Sequence, residues 1–528
     1  MTDFDYVIVG AGSAGCVLAY RLSENPATRV LLIEAGPRDD DPAIHRPKGY
    51  LTSHGDARIT WRFPTDLGDG QWRGALIAGK TLGGTSAINS LLYVRGQAQD
   101  YDDWAANGAA GWAWRDIEPC FRAVEDYAAG SSGGHGGPLH VSAWTPHDAL
   151  SDAIVAAGAE MGVEAKDDLN AGEPAGIGYF PVTIRDGRRV TAADAFLKPV
   201  RQRRNLTVLT DTAVRRIVFE GRRATGVVCA GPRGEETFAA HREVLVAAGA
   251  LQSPKLLQLS GVGPAAHLNA HGVTVVHDSP GVGANLIERW SLRIQHRLTR
   301  RLGQNHQLRG AGLRISRLRY ALGLGGIMAT ASTEIGGFVC ARAGETRPDL
   351  ELQVAGGSTA PDAARQFERA PGLRCVVSPL RPESRGAVFI RSPDPEAAPA
   401  VDLNVLATAD DRRRLVDGAA FARKLLSQPA LRPYLGAETT PGPDCRTPED
   451  LIAHARRYGS PKSHFCGTCR LGADAAAPLD LRLKVRGVEN LRVVDASVMP
   501  SLVSGNTNGA VIAMAWRAAD LILEDAAV

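Results

Sequence analysis

The feature that most constrains this chain is a glycine-rich turn between two apolar runs at its N-terminus. Residues 6–9 form a short apolar run typical of a buried strand, and the Gly-x-Gly-x-x-Gly sequence of residues 10–15 then opens a helix. A second strand-like run, 29–33, ends at Glu34, 19 residues after the last of these glycines. Glycines at this spacing let a pyrophosphate approach the helix N-terminus, and the acidic residue accepts a hydrogen bond from a ribose hydroxyl. The pattern predicts a βαβ unit that binds a dinucleotide.

Length and composition favour a large globular protein with two domains or one elaborated domain. The chain has 528 residues, of which 44% are hydrophobic and 22% charged, as is typical of soluble globular proteins. Its formal net charge of +3 is too small to indicate nucleic acid or a membrane surface as a partner. No apolar stretch is long enough for a transmembrane segment, and the N-terminus shows no signal peptide. Eight cysteines in so long a chain do not indicate a disulfide framework, so we expect a cytoplasmic protein.

Other segments give a coarse outline of the secondary structure. A second glycine cluster at residues 79–89 permits close backbone approach, either to a flat or phosphorylated ligand or at a helix crossing. We expect a β-meander over 208–230, a buried strand at 243–249, antiparallel strands at 376–379 and 387–391, and helices over 253–259, 410–427 and 510–524. The chain contains one complete dinucleotide fingerprint, which favours one resident dinucleotide that the substrate reduces directly.

The order of several motifs along the chain resembles that of the glucose–methanol–choline (GMC) oxidoreductases. The matching segments are the N-terminal fingerprint with Glu34 and residues 79–96, 249–254, 464–472 and 490–508. The pattern is most similar to bacterial aryl and primary alcohol oxidases, including those that act on hydroxymethylfurfural, and next to choline dehydrogenases. The resemblance implies FAD as the cofactor, an α/β domain with a doubly wound, Rossmann-like sheet, and an α+β substrate domain with an antiparallel sheet flanked by helices. On this basis the FAD domain comprises 1–150, 196–295 and 460–528, and the substrate domain 151–195 and 296–459.

The same resemblance implies a set of cofactor-binding residues. In it, the FAD pyrophosphate is held by Gly10, Gly12, Ser13, Ala14 and Gly15. The adenosine is contacted by Glu34, its neighbour Ala35 and Val214, and the flavin side is lined by Trp61, Gly84, Thr85, Asn89 and Leu92. The tail contributes Asp495 and Ala496 to the diphosphate and ribityl chain and Asn506 and Thr507 to the isoalloxazine. Some relatives attach the flavin covalently through a histidine at the position of Ile88, so here we expect non-covalent FAD.

Oxidation of an alcohol needs a base beside the hydroxyl and a donor that holds its oxygen. Imidazole suits the first task near neutral pH, and a side-chain amide suits the second because it donates without carrying charge. His464 matches the family's catalytic histidine, and Asn508 occupies the expected position of its partner. We therefore assign His464 as base and Asn508 as the residue that orients the substrate oxygen. The alternatives are a core histidine bonded to a backbone carbonyl and an asparagine that caps the helix beginning at residue 510.

Three further features have a structural and a functional interpretation. Cys466 and Cys469 form a Cys-x-x-Cys beside His464, which indicates either dithiol chemistry or, more simply, small packing groups. The arginine-rich run 293–319 fits either a surface helix or a contact for an anionic substrate or acidic carrier. His267 and His271 are four residues apart, but no third ligand is evident, so we expect no metal site.

Together these observations predict an FAD-dependent enzyme that oxidises a primary, aromatic or small aliphatic alcohol to an aldehyde. Oxygen or another electron acceptor would reoxidise the cofactor. The motifs do not distinguish the two acceptors, because oxidases and dehydrogenases share all of them. The alternatives are a choline-dehydrogenase-like enzyme with a non-oxygen acceptor, a flavin-containing hydroxynitrile lyase, and a flavoprotein that binds without catalysis.

Overall fold

A seven-stranded sheet forms the nucleotide-binding half of the protein. The computed structural model describes residues 2–68, 72–127, 130, 133–145, 147–172, 175–342, 344–360 and 363–527. In spatial order the strands of this first sheet are Leu206–Leu209, Val30–Ile33, Thr2–Val9, Gly234–Val246, Arg223–Gly231 and Ala213–Glu220, with Leu491–Val493 also paired to Gly234–Val246. The pairs that involve Thr2–Val9 and Val30–Ile33 are parallel. Strands Arg223–Gly231 and Ala213–Glu220, in contrast, form an antiparallel meander with Gly234–Val246. The predicted doubly wound nucleotide-binding sheet is therefore confirmed.

Two helices pack side by side against the first sheet and bury their apolar residues there. Helix Ser13–Leu22 follows the glycine-rich turn, and the C-terminal helix Thr507–Ala527 contacts it along its length. Both contribute mostly buried side chains, so the two ends of the chain share one hydrophobic core. The start of each helix faces the same edge of the sheet, where parallel strands place their carboxyl ends.

An eight-stranded sheet forms the other half. Its strands, in spatial order, are Leu435–Thr440, Trp290–Leu298, Gly372–Pro379, Leu350–Ala355, Ile335–Val339, Gly176–Tyr179 and Ala165–Lys166, with Ser460–Pro461 also paired to Trp290–Leu298. The longer strands are antiparallel, as expected. Helices Ala149–Glu160 and Ala409–Leu426 cover one face. The remaining helices of eight or more described residues are Ala98–Ala106, Trp114–Val124, Gln252–Leu259, Gly310–Ala321 and Pro448–Tyr458.

The structure corrects the sequence-based outline at three places. Strand Leu206–Leu209 pairs in parallel with Val30–Ile33 instead of joining the meander. Strand Ala387–Phe389 forms a separate hairpin with Ala400–Asp402 and does not join the second sheet. The expected domain boundary at residue 295 lies inside strand Trp290–Leu298, which belongs to the second sheet. Short apolar runs have the same pattern in all of these settings, so the sequence alone does not choose the partner strand.

The arginine-rich run is divided between two environments. Arg314, Arg317 and Arg319 are exposed on helix Gly310–Ala321, beside the exposed apolar side chains of Ile315 and Leu318. Arg293, in contrast, is buried within the second sheet. Among the described residues, no helix is both long and apolar enough to cross a membrane.

A contact between two glycines sets how closely the two glycine-rich turns approach. Gly84 has φ +54°, and a Cβ at this position would lie 2.7 Å from the Cα of Gly12. Real Cβ atoms do not approach backbone this closely, so a side chain at Gly84 would push the two turns apart.

We expect Gly84→Ala to lower the free energy of unfolding and the FAD content of the purified protein. The steric clash should lower the free energy of unfolding by about 1–3 kcal/mol, the usual effect of overpacking a core. Gly221→Ala is a matched control, because Gly221 has a similar φ of +60° with nothing within 4 Å of the added Cβ. Denaturant unfolding and the flavin-to-protein absorbance ratio measure the two effects, and equal losses in both variants would contradict the role of the glycine contact.

Candidate active site

One cavity of about 880 Å³ lies between the two sheets and collects nearly all the predicted site residues. It is lined by the glycine-rich turn, the second glycine cluster, strand ends of both sheets and the C-terminal tail. The predicted residues on its wall are Gly10, Gly12, Ser13, Ala14, Glu34, Ala35, Trp61, Gly84, Thr85, Asn89, Leu92, Val214, His464, Asp495, Ala496, Asn506, Thr507 and Asn508. The two halves of the sequence signal therefore meet in space.

Gly15 is the exception, and the structure gives it a different task from the predicted cofactor contact. It lies behind the turn, where a Cβ would come within 1.9 Å of the carbonyl oxygen of Gly10. Gly15 therefore permits close packing of helix Ser13–Leu22 on the strand before it.

The nucleotide end of the cavity fits a dinucleotide. Helix Ser13–Leu22 begins at Gly12 without a side-chain cap, so its first backbone N–H groups are available to a phosphate. Glu34 ends its strand beside them, where its carboxylate accepts hydrogen bonds from the backbone N–H of Ala11 at 2.9 Å and of Gly36 at 3.1 Å. Burial raises the pKa of Glu34 to about 7. A ribose hydroxyl supplies the kind of donor that this buried carboxylate can still accept.

Asp495 fastens the tail to the first sheet. One carboxylate oxygen accepts from the backbone N–H of Gly249 at 2.9 Å and from Ser253 Oγ at 2.5 Å, and the other accepts from the backbone N–H of Ser497 at 2.8 Å. These bonds hold the segment after strand Leu491–Val493 against the cavity. Asp495 thus shapes the predicted diphosphate and ribityl site through the backbone that it anchors.

Asn89 is oriented by a buried arginine that sequence reasoning missed. Arg189 Nη1 donates to Asn89 Oδ1 at 2.6 Å, and the backbone N–H of Leu91 donates to the same oxygen at 3.1 Å. The carbonyl end of the amide is therefore occupied, which leaves its N–H groups as donors toward the cavity. Arg189 lies 100 residues from Asn89 in sequence, and no local pattern links the two.

The centre of the site is His464, whose ring is held on both sides. It is 8% exposed, and Nδ1 lies 3.1 Å from Nη2 of Arg289. Nε2 lies 3.2 Å from the side-chain amide of Asn506. The backbone N–H of His464 donates to the carboxylate of Glu288 at 3.2 Å, so the loop is fixed as well as the ring.

The structure distinguishes the environments of the two asparagines, both of which line the cavity. The predicted partner, Asn508, does not contact the imidazole; its Oδ1 accepts a hydrogen bond from Ser13 Oγ at 2.7 Å. Asn506, predicted to contact the isoalloxazine, is the residue beside His464. Residues 506 and 508 lie at the start of helix Thr507–Ala527, where consecutive positions point in different directions. The assignment of Asn508 as the residue that orients the substrate oxygen therefore stays a prediction, and Asn506 becomes a second candidate.

Arg289 determines which nitrogen of His464 carries hydrogen. A guanidinium only donates, so Nδ1 is the acceptor and the neutral ring bears its proton on Nε2. That N–H then faces the amide of Asn506, whose nitrogen is placed 3.2 Å away and whose buried Oδ1 forms no hydrogen bond with any described residue. With its amide oriented so that Oδ1 receives this proton, Asn506 satisfies both groups.

Positive charge surrounds the imidazole. Burial, then Arg289 and then Lys462 hold the pKa of His464 well below its usual value of 6.5. Burial also lowers the pKa of Lys462 to about 8 and raises that of Glu288 to about 7. Burial and the two cations therefore favour the neutral form of His464.

Cys466 and Cys469 are buried free thiols rather than a disulfide. Burial raises the pKa of Cys466 to about 12 and that of Cys469 well above the ordinary thiol value. A protonated, buried thiol is a poor nucleophile, so the packing interpretation is favoured.

One side-chain group among the described residues has metal-ligand spacing, namely Asp39, His45 and Asp194. Lys198 Nζ already donates to Asp194 at 2.7 Å, and none of the three residues lines the cavity of His464. The histidines that lie four residues apart in the sequence, His267 and His271, are hydrogen-bonded to backbone carbonyls. His267 bonds the carbonyl oxygen of Ile390, and His271 bonds that of His267.

Comparison with known proteins decides the family. The GMC oxidoreductase family matches the chain in two segments, residues 4–290 and residues 382–515. The chain belongs to the GMC oxidoreductase family. Membership confirms the expected fold and the expected enzyme class, an FAD-binding oxidoreductase of CH–OH donors.

Similar proteins span nearly the whole chain. An oxygen-dependent choline dehydrogenase of Brucella suis is 38% identical over 99% of this chain and 96% of its own length. An alcohol dehydrogenase (acceptor) of Pseudomonas putida is 36% identical over 98% of this chain and 96% of its own length. Among solved structures, pyridoxine 4-oxidase from Mesorbium loti superposes with a TM-score of 0.88 at 31% identity and 98% coverage of both chains.

We expect Asn506→Ala and Asn508→Ala to separate the two asparagines. Loss of the amide beside His464 should slow anaerobic flavin reduction by about a hundredfold, the effect of removing one donor or acceptor at a reacting oxygen. Asn508→Ala should instead weaken FAD retention through Ser13 and leave the reduction rate of the loaded enzyme within about threefold, far below that effect. Stopped-flow reduction of both variants measures this, and the reverse order of effects would restore Asn508 as the partner.

The pH dependence of flavin reduction should report the depressed pKa of His464. Protonation of Nδ1 would set two donors, this N–H and that of Arg289, against each other and so displace the ring. Because a nearby cation disfavours imidazolium, the rate should hold down to a pH below 6.5 and fall only as His464 becomes protonated. Lys462→Gln removes one cation and should move this acid limb to higher pH, whereas Lys424→Gln on an exposed helix surface should leave it in place. A rate of flavin reduction that already falls at or above pH 6.5 in the wild-type enzyme on acidification would contradict the electrostatic account.

Proposed function

We propose that this enzyme oxidises a primary alcohol to an aldehyde at the wall formed by His464 and Asn506. The reaction removes a hydride from the carbon and a proton from the hydroxyl; bound FAD supplies the hydride acceptor, and oxygen or another acceptor reoxidises it. The contact between His464 Nε2 and the amide of Asn506, on the same cavity as the predicted flavin-side residues, is the observation that carries this proposal.

Non-covalent FAD is part of the proposal. Gly12, Ser13 and the uncapped helix would hold the pyrophosphate, Glu34 a ribose, and Asn89 and Thr507 the flavin side. Ile88, at the position where some relatives attach the flavin, lacks a nucleophilic atom and lies on the same wall.

The role of His464 follows from its tautomer. The neutral ring has one lone pair, on Nδ1, and Arg289 occupies it. The substrate hydroxyl would therefore meet Nε2–H, which donates to the oxygen and lowers the pKa of the bound alcohol. We accordingly propose that the hydroxyl proton passes to solvent water, and that His464 stabilises the negative charge left on the oxygen as a hydrogen-bond donor, in place of the general-base role expected from the sequence.

Asn506 complements this donor. Its amide lies beside Nε2 before substrate enters, and it offers N–H groups to the same oxygen when the amide turns. Two neutral donors hold a developing alkoxide without bringing in another charge.

A pair of substitutions distinguishes a donor from a base. We expect His464→Ala to slow anaerobic flavin reduction by about a hundredfold or more. His464→Gln retains an N–H donor but not a base, so it should recover a measurable part of that loss.

Both variants are compared at equal FAD content by stopped-flow reduction with a neutral primary alcohol. Equal rates for the two variants would favour the base role. A wild-type flavin that no alcohol reduces would refute the oxidoreductase proposal and leave a redox-idle reaction such as that of a lyase.

A further inference from the structure

We propose that the alcohol substrate carries an oxyanion, a carboxylate above all, which Arg374, Lys462 and Arg293 bind on the second-sheet wall of the cavity. This inference rests on the proposed function, because it adds the substrate class to the same site. It also sets this enzyme apart from relatives named for choline, whose quaternary ammonium group is a cation.

The two faces of the second sheet differ in chemistry. Alternation along its central strands places one set of side chains in the apolar core: Leu292, Ile294, Leu352, Val354, Leu373, Cys375 and Val377. Antiparallel register places Arg293 opposite Val376, and Gln353 opposite Val376 on the other side. Arg293, Gln353, Arg374 and Val376 therefore share the other face, and all four line the cavity.

Lys462 brings a second element to this face. It follows the short strand Ser460–Pro461, which pairs with Trp290–Leu298, and it lies two residues before His464. Its Nζ donates to Gln353 Oε1 at 2.6 Å. The ammonium group of Lys462 thus lies between the second sheet and His464.

The three cations are close enough to affect one another. Burial, and then Arg374, lowers the pKa of Arg293 to about 10. Burial also lowers the pKa of Lys462 to about 8; Arg289 and, more weakly, Arg374 lower it further, while Glu351 and Glu288 raise it. Like charges gathered in a partly buried wall oppose each other, and an anion among them relieves that repulsion.

The positive charge of Arg374 and Lys462 lacks a direct counter-charge among the described residues. Neither side chain forms a salt bridge there, and Lys462 donates to the neutral amide of Gln353. Glu351, a carboxylate on the same face, is fully buried in an ion pair with Arg289 at 3.1 Å.

The acidic residues of the cavity wall belong to its nucleotide end. Among the described residues they are Glu34, Asp495 and Glu396. Glu34 and Asp495 are bonded to the first-sheet turns, and Glu396 lies 3.9 Å from Arg215 on strand Ala213–Glu220. The second-sheet wall therefore carries cations, whereas the acidic residues of the cavity wall lie at the opposite end together with Arg215 and Lys255.

A quaternary ammonium substrate needs a carboxylate or the open face of an aromatic ring. The second-sheet wall offers cations instead, and Lys80 Nζ already lies 4.5 Å from the centre of the Trp61 ring. Guanidinium groups match a carboxylate with two parallel hydrogen bonds, so a carboxylate fits Arg374 better than a neutral group does.

Three para-substituted benzyl alcohols test the charge preference at constant geometry. They are 4-(hydroxymethyl)benzoate, the neutral 4-(hydroxymethyl)benzamide and the cationic (4-(hydroxymethyl)phenyl)trimethylammonium. For the FAD-loaded enzyme at low ionic strength we expect kcat/KM to be highest for the anion and lowest for the cation. 4-(Hydroxymethyl)phenyl phosphate, in which the hydroxymethyl group stays free, tests whether a dianion is accepted in place of the carboxylate. In either case kcat/KM for the oxyanion must exceed that for the benzamide.

Substitution of Arg374 locates the effect. Arg374→Gln should lower kcat/KM for the benzoate by about tenfold to a hundredfold, the loss of a charged hydrogen bond, while the benzamide changes by less than about threefold. Arg374→Lys should restore part of the anion preference. Arg73→Gln is the matched control, because Arg73 also lines the cavity but exposes 71% of its side chain and lies on the strand beside Trp72; it should leave the ratio of the two substrates unchanged.

The outcomes separate this inference from the function on which it rests. Flavin reduction by the benzamide at a rate equal to or above that of the benzoate overturns the oxyanion site but keeps the alcohol oxidoreductase. Equal loss of both substrates in Arg374→Gln also overturns it, because a purely structural arginine would not distinguish charge. Failure of every alcohol to reduce the flavin overturns the proposed function itself.

Discussion

One buried guanidinium joins the parts of this enzyme that must cooperate. Arg289 is fully buried, pairs with Glu351 of the second sheet, and donates to His464 and to the backbone carbonyl of Gly505 in the tail. Its position therefore ties the substrate sheet to the segment that carries Asn506. Removal would leave Glu351 as an unpaired buried charge, which costs more than the lost contact alone. The geometry of the imidazole depends on this single residue more than on any bond within its own loop.

The fold makes that junction possible because both sheets end at the same cavity. Parallel strands of the first sheet deliver the glycine-rich turn and Glu34 at their carboxyl ends, and Asp495 holds the tail beside them. The second sheet contributes a face, not an edge, so its alternating pattern sets which side chains reach the substrate. Cofactor recognition thus comes from backbone turns, whereas substrate recognition comes from side chains on a rigid surface.

The sequence predicted most accurately what local backbone patterns specify. Strand, glycine turn, helix and Glu34 form one continuous segment, and so does the tail that bears His464 and Asn506, which is why both were found. Arg289, Arg189 and Arg374 are absent from those expectations because each acts on a residue far along the chain or across a sheet. The sequence did not show that Asn506 contacts His464 and Asn508 contacts Ser13, because two residues in one turn differ only in direction, which the backbone decides. The partner strand of Ala387–Phe389 was missed for a related reason, since pairing depends on neighbours that the run itself does not encode.

The charge of the substrate wall and the protonation of His464 are one electrostatic problem. Lys462 helps to depress the pKa of the imidazole, and Arg374 in turn depresses that of Lys462. An anionic group bound among these cations cancels part of their field, so it moves the pKa of His464 back toward its ordinary value. A cationic substrate would add to the field and oppose any further positive charge near the reacting oxygen. The same side chains therefore select the substrate by charge and set the electrostatic conditions under which its hydroxyl is oxidised.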